Sequence, residues 1–565
     1  MYKDTTFNLE DYVKASYNYL NKMVDRNGQP YFNIFWTKPA EAAHDWPDFG
    51  DVMSRQLQSA VFARYMTGDY VENENIWYDK ILTYIDNKTG LLYRPETQYS
   101  KYQADLGDQA LTLYALLTVY VDNKSKHLEG IICKMIGAVA EIIDKTDPPE
   151  ISWLHGFIIK SLMACYRYLE YEPALKLAKK TTYLVLERGD ILTPENTLRQ
   201  GSHMHGTLRF LLGAADYALY AGDPVLYSRI EAVFRFINEN VSKFGFMPEV
   251  FGRKDDIICC ETCALMDYIG LGTTLANYGH PEYWGPIERI VRNHLVESQL
   301  RDGSWLESDE DKTEGTRQFS WNSIGDRMLG GYAGWSSPNH ILGCEETLND
   351  KWGGSELRDK VRAFQNCCGG SGVHAFFIAW KNACRYHDNC LSINLHIDKL
   401  IPEAEIRCFQ PYTGLLTINL KKSCCVKIRI PDFVAPSDLV VKANGKCISY
   451  KTQGIFALLE SRNSGDYIEI KYPLPITEED VIVGNAGFRE YKYKVTWKGD
   501  TVVRMLPVGE EYNTAYSACE KKEVAVYYGK NGPGLLYQRD YMLKDTKPQL
   551  SKLTMDKGIF DFWFF

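Results

Sequence analysis

Up to about residue 385, apolar residues recur at positions i, i+3, i+4 and i+7, which is the period of an α-helix packed on one face. Most of these segments end in a turn that contains glycine, such as Thr67-Gly68-Asp69. The pattern predicts about eleven or twelve helices. The clearest are Val52–Met66, Leu106–Val121, Ile131–Ile143, Ile151–Leu169, Gly206–Tyr220, Leu226–Val241 and Cys263–Ala276.

Alternating helices joined by short turns favour helix pairs that close into an α/α toroid, a six-hairpin barrel. A helical solenoid is the alternative architecture, although the sequence shows no fixed repeat. A further helix is predicted over Val373–Tyr386, directly after a turn formed by Gly369-Gly370-Ser371-Gly372.

From about Cys390 the apolar period changes to two, which is typical of strands with one buried face. Turn clusters such as Ala443-Asn444-Gly445 separate these segments, and together they predict an antiparallel β-sandwich. The chain is therefore multidomain α + β, with an α/α-barrel domain over 1–387 and a β-sandwich over 388–565. The apolar end, Phe560–Phe565, is expected to pack back onto a domain. The clearest strands are Leu391–Ile397, Leu415–Leu420, Cys425–Ile430 and Tyr467–Tyr472.

Composition and charge exclude several classes of protein. The net charge is −9 and no basic stripe is present, which argues against nucleic acid as a partner. No apolar run approaches the length of a membrane span, and the N-terminus lacks the features of a secretory signal, so we expect a cytoplasmic protein. The 15 cysteines are then expected to be thiols rather than disulfides. Aromatic residues reach 13%, which suits either sugar binding or a large core.

The cysteines are clustered in two places, Cys259-Cys260-Glu261-Thr262-Cys263 and Cys367-Cys368. Thiolates and a carboxylate are good zinc ligands, and four of them make a tetrahedral site. The spacing does not match a zinc finger, so small buried apolar thiols are the alternative interpretation. A thiol at the start of a helix has a lowered pKa, which would prepare a nucleophile.

Other candidate residues are polar groups in loops and at helix starts. Glu249 follows an apolar loop, where a carboxyl group with a raised pKa can act as a general acid. His205 and His203 lie at the start of one helix, and His155 lies at the start of another. Each is either a hydrogen-bond partner of the substrate or a core histidine whose hydrogen bonds are made within the protein. Asp51 ends a polar and aromatic loop, His44–Asp51, that is either a sugar-binding rim or a helix cap.

Taken together, these segments resemble the bacterial β-L-arabinofuranosidase family of zinc-dependent cysteine glycosidases, as a divergent member. The combination of Glu261-Thr262-Cys263-Ala264 with a distant Cys-Cys pair is the specific part of the resemblance. The matching segments also include Gly201–Asp216, Ile428–Pro431 and Val440–Gly445.

The resemblance implies a retaining glycoside hydrolase that releases a non-reducing-end sugar, β-L-arabinofuranose or a related rare sugar, from a plant-type oligosaccharide. It implies that Glu261, Cys263, Cys367 and Cys368 hold one Zn²⁺, and that Cys367 is the nucleophile. It also implies that Glu249 is the acid/base residue and that His205 contacts the substrate.

Two features depart from the family pattern. Glycines follow the Cys pair where the family has prolines, and Cys259 and Cys260 add thiols beside the site. Two other functions therefore stay open. One is a carbohydrate-binding protein or lyase with a structural zinc site, and the other is a thiol enzyme without a metal.

Overall fold

The chain is described by a computed structural model over residues 5–35, 40–252, 260–301, 313–314, 319–332, 334, 362–483, 491–506, 513–517, 522–526 and 539–561. Within these ranges, helices dominate up to Asn382 and strands dominate from Cys384 onward. The predicted change from helical to β-rich structure is confirmed.

Thirteen α-helices occur among the described residues, and each helix named in the sequence prediction before residue 300 is present with shifted ends. None of the described helices combines the length and apolar character needed to cross a membrane. The helices are α1 (Leu9–Lys22), α2 (Met53–Thr67), α3 (Glu74–Tyr84), α4 (Leu106–Asn123), α5 (Lys126–Lys145), α6 (Trp153–Leu169), α7 (Glu172–Arg188), α8 (Met204–Ala221), α9 (Pro224–Asn240), α10 (Thr262–Asn277), α11 (Trp284–Ile290), α12 (Ile324–Met328) and α13 (Cys367–Asn382).

Six of these helices contact one another in a closed ring, in the order α2, α4, α6, α8, α10, α13 and back to α2. Helices α3, α5, α7, α9 and α11 each pack outside the preceding inner helix, and α1 packs outside α13 and α2. The inner helices are buried on nearly all sides, whereas outer helix α5 buries one stripe. That difference follows from their positions, since only an outer helix has a face toward water.

The described strands number 23 and form six sheets. The two largest have the orders β10-β11-β12-β18-β14-β15 and β16-β17-β13-β9-β8. The strands are β1 (Asn33–Phe35), β2 (Glu41–Ala43), β3 (Ser202–His203), β4 (Val250–Phe251), β5 (Thr313–Glu314), β6 (Phe319–Ser320), β7 (Arg362–Gln365), β8 (Cys384–His387), β9 (Cys390–Ile393), β10 (Lys399–Ile401), β11 (Ala404–Cys408), β12 (Leu415–Leu420), β13 (Cys424–Arg429), β14 (Val440–Ala443), β15 (Lys446–Cys447), β16 (Lys451–Gln453), β17 (Phe456–Arg462), β18 (Tyr467–Lys471), β19 (Ile476–Val483), β20 (Tyr491–Lys498), β21 (Thr501–Leu506), β22 (Asn513–Ser517) and β23 (Lys522–Val526).

The two large sheets contribute to one apolar cluster. Ile406, Ile418 and Ile468 are cross-strand neighbours in the first sheet, and Ile393 and Ile428 are neighbours in the second. The prediction of antiparallel strands is wrong at one place, because β9 and β13 run parallel. Within that pair, Cys390 faces Cys425 and the two form a disulfide, so the expectation of thiols throughout is also wrong there. The ten other described cysteines form no disulfide with one another.

The helical and β-rich parts join without a linker, since β8 begins at Cys384, directly after α13 and Ala383. The predicted helix over Val373–Tyr386 is therefore wrong at both ends. Asp388 and Asn389, near the predicted boundary, form a hairpin turn with positive φ. The apolar C-terminal end does pack back, because Phe560 is fully buried against helical side chains. Residues 562–565 lie outside the described residues.

A buried ion cluster connects the helical part to the β-rich part. Glu288, in α11, accepts a hydrogen bond of 2.7 Å from Arg292 and pairs with Arg429 at the end of β13. The backbone N–H of His396 also donates to this carboxylate, at 2.9 Å. Burial alone would raise the pKa of Glu288, but the two guanidinium groups outweigh it and hold the pKa well below its usual range.

We predict that Glu288→Gln strongly destabilises the fold. The substitution removes the charge that compensates Arg292 and Arg429, both of which are almost fully buried. The expected loss in free energy of unfolding is about 3–5 kcal/mol, measured by urea denaturation. The control is Glu282→Gln, since that side chain is 59% exposed and pairs only with His280 among the described contacts. A loss of less than about 1 kcal/mol for Glu288→Gln would contradict the assigned role of the cluster.

Candidate functional site

The N-terminal turns of the six inner helices meet at one end of the ring. A methyl group at Gly206, in α8, would overlap Trp153 of α6, and one at Gly50, before α2, would overlap Asp108 of α4. His205 of α8 bonds Asp267 of α10, and the starts of α13 and α2 are in similar contact. The residues singled out in the sequence at helix starts therefore share one end of the barrel.

At this end, α10 and α13 bring four metal-binding side chains together. Glu261 caps α10 and Cys263 lies in its first turn, while Cys367 and Cys368 begin α13. One donor atom from each side chain lies within 4.8 Å of the others. The Sγ atoms of Cys263 and Cys368 are 3.4 Å apart, and Glu261 Oε1 lies 3.8 Å and 4.0 Å from the Sγ atoms of Cys367 and Cys368.

These distances fit a tetrahedral zinc site. Zinc bonds of about 2.3 Å to sulfur and about 2.1 Å to oxygen place neighbouring donors roughly 3.5–3.8 Å apart in a tetrahedron. Three sulfurs and one carboxylate oxygen are a set of ligands that zinc accepts. The four residues brought together are those that the sequence analysis assigned to one metal ion.

The electrostatics of the cluster also favour a cation. Burial and the neighbouring Cys263 sulfur raise the pKa of Glu261 to about 7. Burial opposes ionisation of Cys263, but hydrogen bonds from Cys367 and Cys368 and the charge of Arg55 hold the pKa of Cys263 well below its ordinary value. The pKa of Cys367 is raised well above its ordinary value, mainly by its hydrogen bond to Cys263. The pKa of Cys368 is also raised well above its ordinary value, mainly by burial. Three thiolates at once therefore require a bound cation.

A second group of side chains adjoins the first. Glu249, which precedes β4, places Oε1 3.7 Å from His203 Nε2, and the same nitrogen lies 3.4 Å from Glu261 Oε2. The Nδ1 atom of His203 accepts the Gly206 N–H at 3.2 Å, which caps α8. Because Nδ1 accepts, Nε2 carries a proton and donates toward the carboxylates, so it has no lone pair there for a metal.

The other predicted residues have protein partners. The Nδ1 atom of His205 forms a hydrogen bond of 2.6 Å with the Asp267 carboxylate. Its Nε2 atom lies 3.1 Å from a terminal nitrogen of Arg55. His155 forms a capping box with Ser152 at the start of α6. Asp51 is not a helix cap; it lies in a π-helical turn before α2 and pairs with Arg55 at 2.5 Å.

The rest of the His44–Asp51 loop is mostly buried rather than exposed as a rim. His44 bonds Asp48 at 2.7 Å and stacks between Tyr31 and Tyr99. Trp46 is partly exposed, with the Arg94 guanidinium 3.9 Å from its ring centroid. Cys260 is a buried thiol beside the site, and Cys259 lies outside the described residues.

The glycines after the Cys pair belong to α13 itself, which corrects the prediction of a turn before the helix. They allow α13 to approach its neighbours closely. A methyl group at Gly369 would overlap the Tyr19 hydroxyl, and one at Gly370 would lie 2.7 Å from the Arg55 carbonyl oxygen. A methyl group at Gly372 would overlap the Tyr332 ring. The glycines therefore set how closely the start of α13 approaches α1 and α2.

Sequence reasoning missed Arg55, Asp267 and Ser371. Arg55 follows Asp51 by four residues and Asp267 follows Cys263 by four, so each pair lies on one face of a helix. The four-residue spacing could have indicated from the sequence that each pair of side chains lies close together. It could not show that the Arg55 side chain reaches the starts of three other helices, α8, α10 and α13.

Three solved structures share this fold. A crystal structure of a GH127 β-L-arabinofuranosidase from Geobacillus stearothermophilus T6 has a TM-score of 0.57 and 15% identity, covering 80% of this chain and 77% of that chain. A structure described as a GH127 β-arabinofuranosidase has a TM-score of 0.57 and 13% identity, covering 93% and 92%. Another, described as a glycoside hydrolase, has a TM-score of 0.55 and 14% identity, covering 85% of each chain.

No family model and no curated protein matches the chain in sequence. At these sequence identities, the solved structures show a shared fold. The shared fold confirms the resemblance to the family that the sequence indicated.

We predict that Gly369→Ala displaces the first turn of α13 and lowers the free energy of unfolding by about 1–3 kcal/mol, because the new methyl group overlaps Tyr19. The matched control is Gly137→Ala in α5, where no described residue outside the helix's own backbone lies within 4 Å of the added methyl group. That change should stabilise the protein by about 0.5–1 kcal/mol. Thermal denaturation of both variants checks the difference, and equal effects would contradict the packing role of Gly369.

Proposed function

We propose that this chain is a retaining glycoside hydrolase, built as an α/α toroid followed by a β-sandwich. Its substrate is a plant-type oligosaccharide, from whose non-reducing end it releases β-L-arabinofuranose or a related rare sugar. The observation that carries the proposal is the cluster of Glu261, Cys263, Cys367 and Cys368 at one end of a helical ring. The fold shared with the GH127 structures supports the reaction class.

The four clustered side chains would hold one Zn²⁺. When bound, the ion would keep the thiols ionised at neutral pH and would make sulfur a better leaving group. His203 would act as a hydrogen-bond donor beside the ion rather than as a ligand, because the Gly206 N–H occupies its Nδ1 lone pair.

Cys367 is the proposed nucleophile. It is 6% exposed, whereas Cys263 and Cys368 are fully buried, so its sulfur is the one that a substrate can approach most readily. Its position at the N-terminus of α13 stabilises negative charge on sulfur. Cys263 lies 3.8 Å from the Arg55 guanidinium and 3.2 Å from Ser371 Oγ, contacts that hold it as a fixed member of the cluster.

In the first step, Cys367 Sγ attacks the anomeric carbon. A carbon–sulfur bond forms, the glycosidic carbon–oxygen bond breaks, and Glu249 donates a proton to the departing oxygen. In the second step, Glu249 accepts a proton from water while the water oxygen attacks the same carbon. The carbon–sulfur bond breaks and the Cys367 thiolate is restored. Two displacements at one carbon leave its configuration unchanged, which is the retaining outcome.

Glu249 suits the acid/base role because of its neighbours. Its side chain is 7% exposed and His203 Nε2 lies 3.7 Å from its carboxylate. The antiparallel pairing of β3 and β4 fixes the backbone that follows Glu249, and the Met204 N–H donates to the Glu249 carbonyl at 2.7 Å. A carboxyl group held in this way can exchange one proton at a defined place.

One observation favours a second candidate, a carbohydrate-binding protein or lyase whose zinc is structural. All four donor residues are buried and all come from the protein, which is the composition of a closed zinc site. The two functions differ in whether Cys367 forms a bond to sugar, so a variant of that residue separates them.

We predict that wild-type protein, loaded with zinc under reducing conditions, releases nitrophenol from nitrophenyl β-L-arabinofuranoside or from another furanoside or pyranoside in a panel. Cys367→Ser should abolish that release, because a serine hydroxyl is a far weaker nucleophile than a thiolate at neutral pH. The control is Cys447→Ser, which changes an exposed thiol in β15 and should leave the rate unchanged. Near-normal turnover by Cys367→Ser would show that Cys367 is not the nucleophile.

We predict that Glu249→Gln lowers steady-state turnover by about 10²–10⁴-fold while the fold is retained. A nitrophenyl leaving group needs little protonation, so the first step should still proceed and give a burst of about one nitrophenolate per active site. Stopped-flow absorbance measures the burst. Glu239→Gln, an exposed position in α9, is the control and should show wild-type kinetics. A normal steady-state rate in Glu249→Gln would remove this residue from the mechanism.

A further inference from the structure

Arg55 is a buried cation at the centre of the site that the catalytic scheme has not used. It lies in the first turn of α2 and is 6% exposed. Its three nitrogens point in three directions and contact four side chains. The Nε atom bonds Asp51 at 2.5 Å and one terminal nitrogen bonds His205 Nε2 at 3.1 Å. The other terminal nitrogen lies 3.0 Å from Ser371 Oγ and 3.8 Å from Cys263 Sγ.

Charge balance gives this arginine a role. Three thiolates and one carboxylate carry four negative charges, so a bound divalent cation leaves two of them uncompensated. Uncompensated charge in a buried site is costly. The Arg55 guanidinium supplies one positive charge in direct contact with the cluster. Its carboxylate partner, Asp51, has a side chain that is 26% exposed, compared with 6% for Arg55.

The geometry points to Arg55 as the positioning residue that balances the charge of the metal cluster and fixes the Cys263 sulfur within it. This inference rests on the proposed function, since it assumes a cation bound by the four clustered residues. A guanidinium hydrogen bond withdraws electron density from sulfur. Cys263 is thereby a weaker nucleophile than Cys367 and a permanent member of the cluster.

His205 acts through Arg55. Because Arg55 can only donate, His205 Nε2 accepts, and the ring proton resides on Nδ1 and is donated to Asp267 at 2.6 Å. Asp267 is in turn 3.6 Å from Arg209. This chain fixes the histidine tautomer and, with it, the plane of the guanidinium. A lysine could supply the charge, but it could not reach three partners in three directions.

The test uses full-length protein with Co²⁺ in place of zinc, because cobalt bound to thiolates absorbs in the near ultraviolet. Arg55→Met removes the charge and Arg55→Lys restores it without the planar group. The matched control is Arg64→Met on the same helix, where the arginine pairs with Glu74 and Asp122 away from the cluster. Each protein is titrated with Co²⁺ against a competing chelator, and the thiolate-to-cobalt charge-transfer band is recorded.

We expect Arg55→Met to bind Co²⁺ about 10–100-fold more weakly than wild type. Its charge-transfer band should move to longer wavelength, because sulfur without the guanidinium gives up charge more easily. Arg55→Lys should recover part of the affinity, and Arg64→Met should match wild type in both measurements. Asp51→Asn, which loosens Arg55 without removing it, should shift the band in the same direction by less, and it provides the test should Arg55→Met fail to fold.

If Arg55→Met binds Co²⁺ with wild-type affinity and its band does not shift, the inference is overturned and the proposed function still stands. The same result in Asp51→Asn has the same meaning if Arg55→Met does not fold. A wild-type protein that binds no Co²⁺ or Zn²⁺ would overturn both, since the cluster would then hold no cation. Equal losses in Arg55→Met and Arg64→Met would also overturn the inference, because the effect would then come from the stability of α2.

Discussion

The structure of this site depends on placing a buried carboxyl group and three buried thiols, all of which can ionise, at one point. Glu261 and Cys263 at the start of α10 meet Cys367 and Cys368 at the start of α13, with sulfur and oxygen atoms 3.4–4.0 Å apart. Like charges at such distances repel strongly where water is excluded. The arrangement therefore needs positive charge, which a metal ion and Arg55 can provide.

The same constraint operates at the junction of the two parts of the chain. Glu288 lies between two buried arginines, and a backbone N–H completes its hydrogen bonding. A buried charge is tolerated in both places because its partners come from separate elements that the fold holds fixed. At the junction the result is a rigid connection between helices and strands. At the ring end the result is a set of sulfur atoms with different surroundings.

Rigid support would let two adjacent thiols keep different surroundings. The glycines of α13 let the first turn of that helix lie close against Tyr19 and α2. Side chains carried on such elements hold their geometry better than side chains on loops. Cys367 retains some exposure at this end of the ring, and Cys368, one residue later, is fully buried.

The sequence by itself determined the order of helices and strands, because apolar periods of about 3.6 and 2 residues are local properties. It also supplied the residue types of the cluster, since Glu261, Cys263 and the Cys pair stand out by composition and by their resemblance to a known family. It did not determine the packing role of the glycines, the parallel pairing of β9 with β13, or the contact of Arg55 with the cluster. Those depend on distances between segments far apart in the chain, which only the tertiary structure brings together.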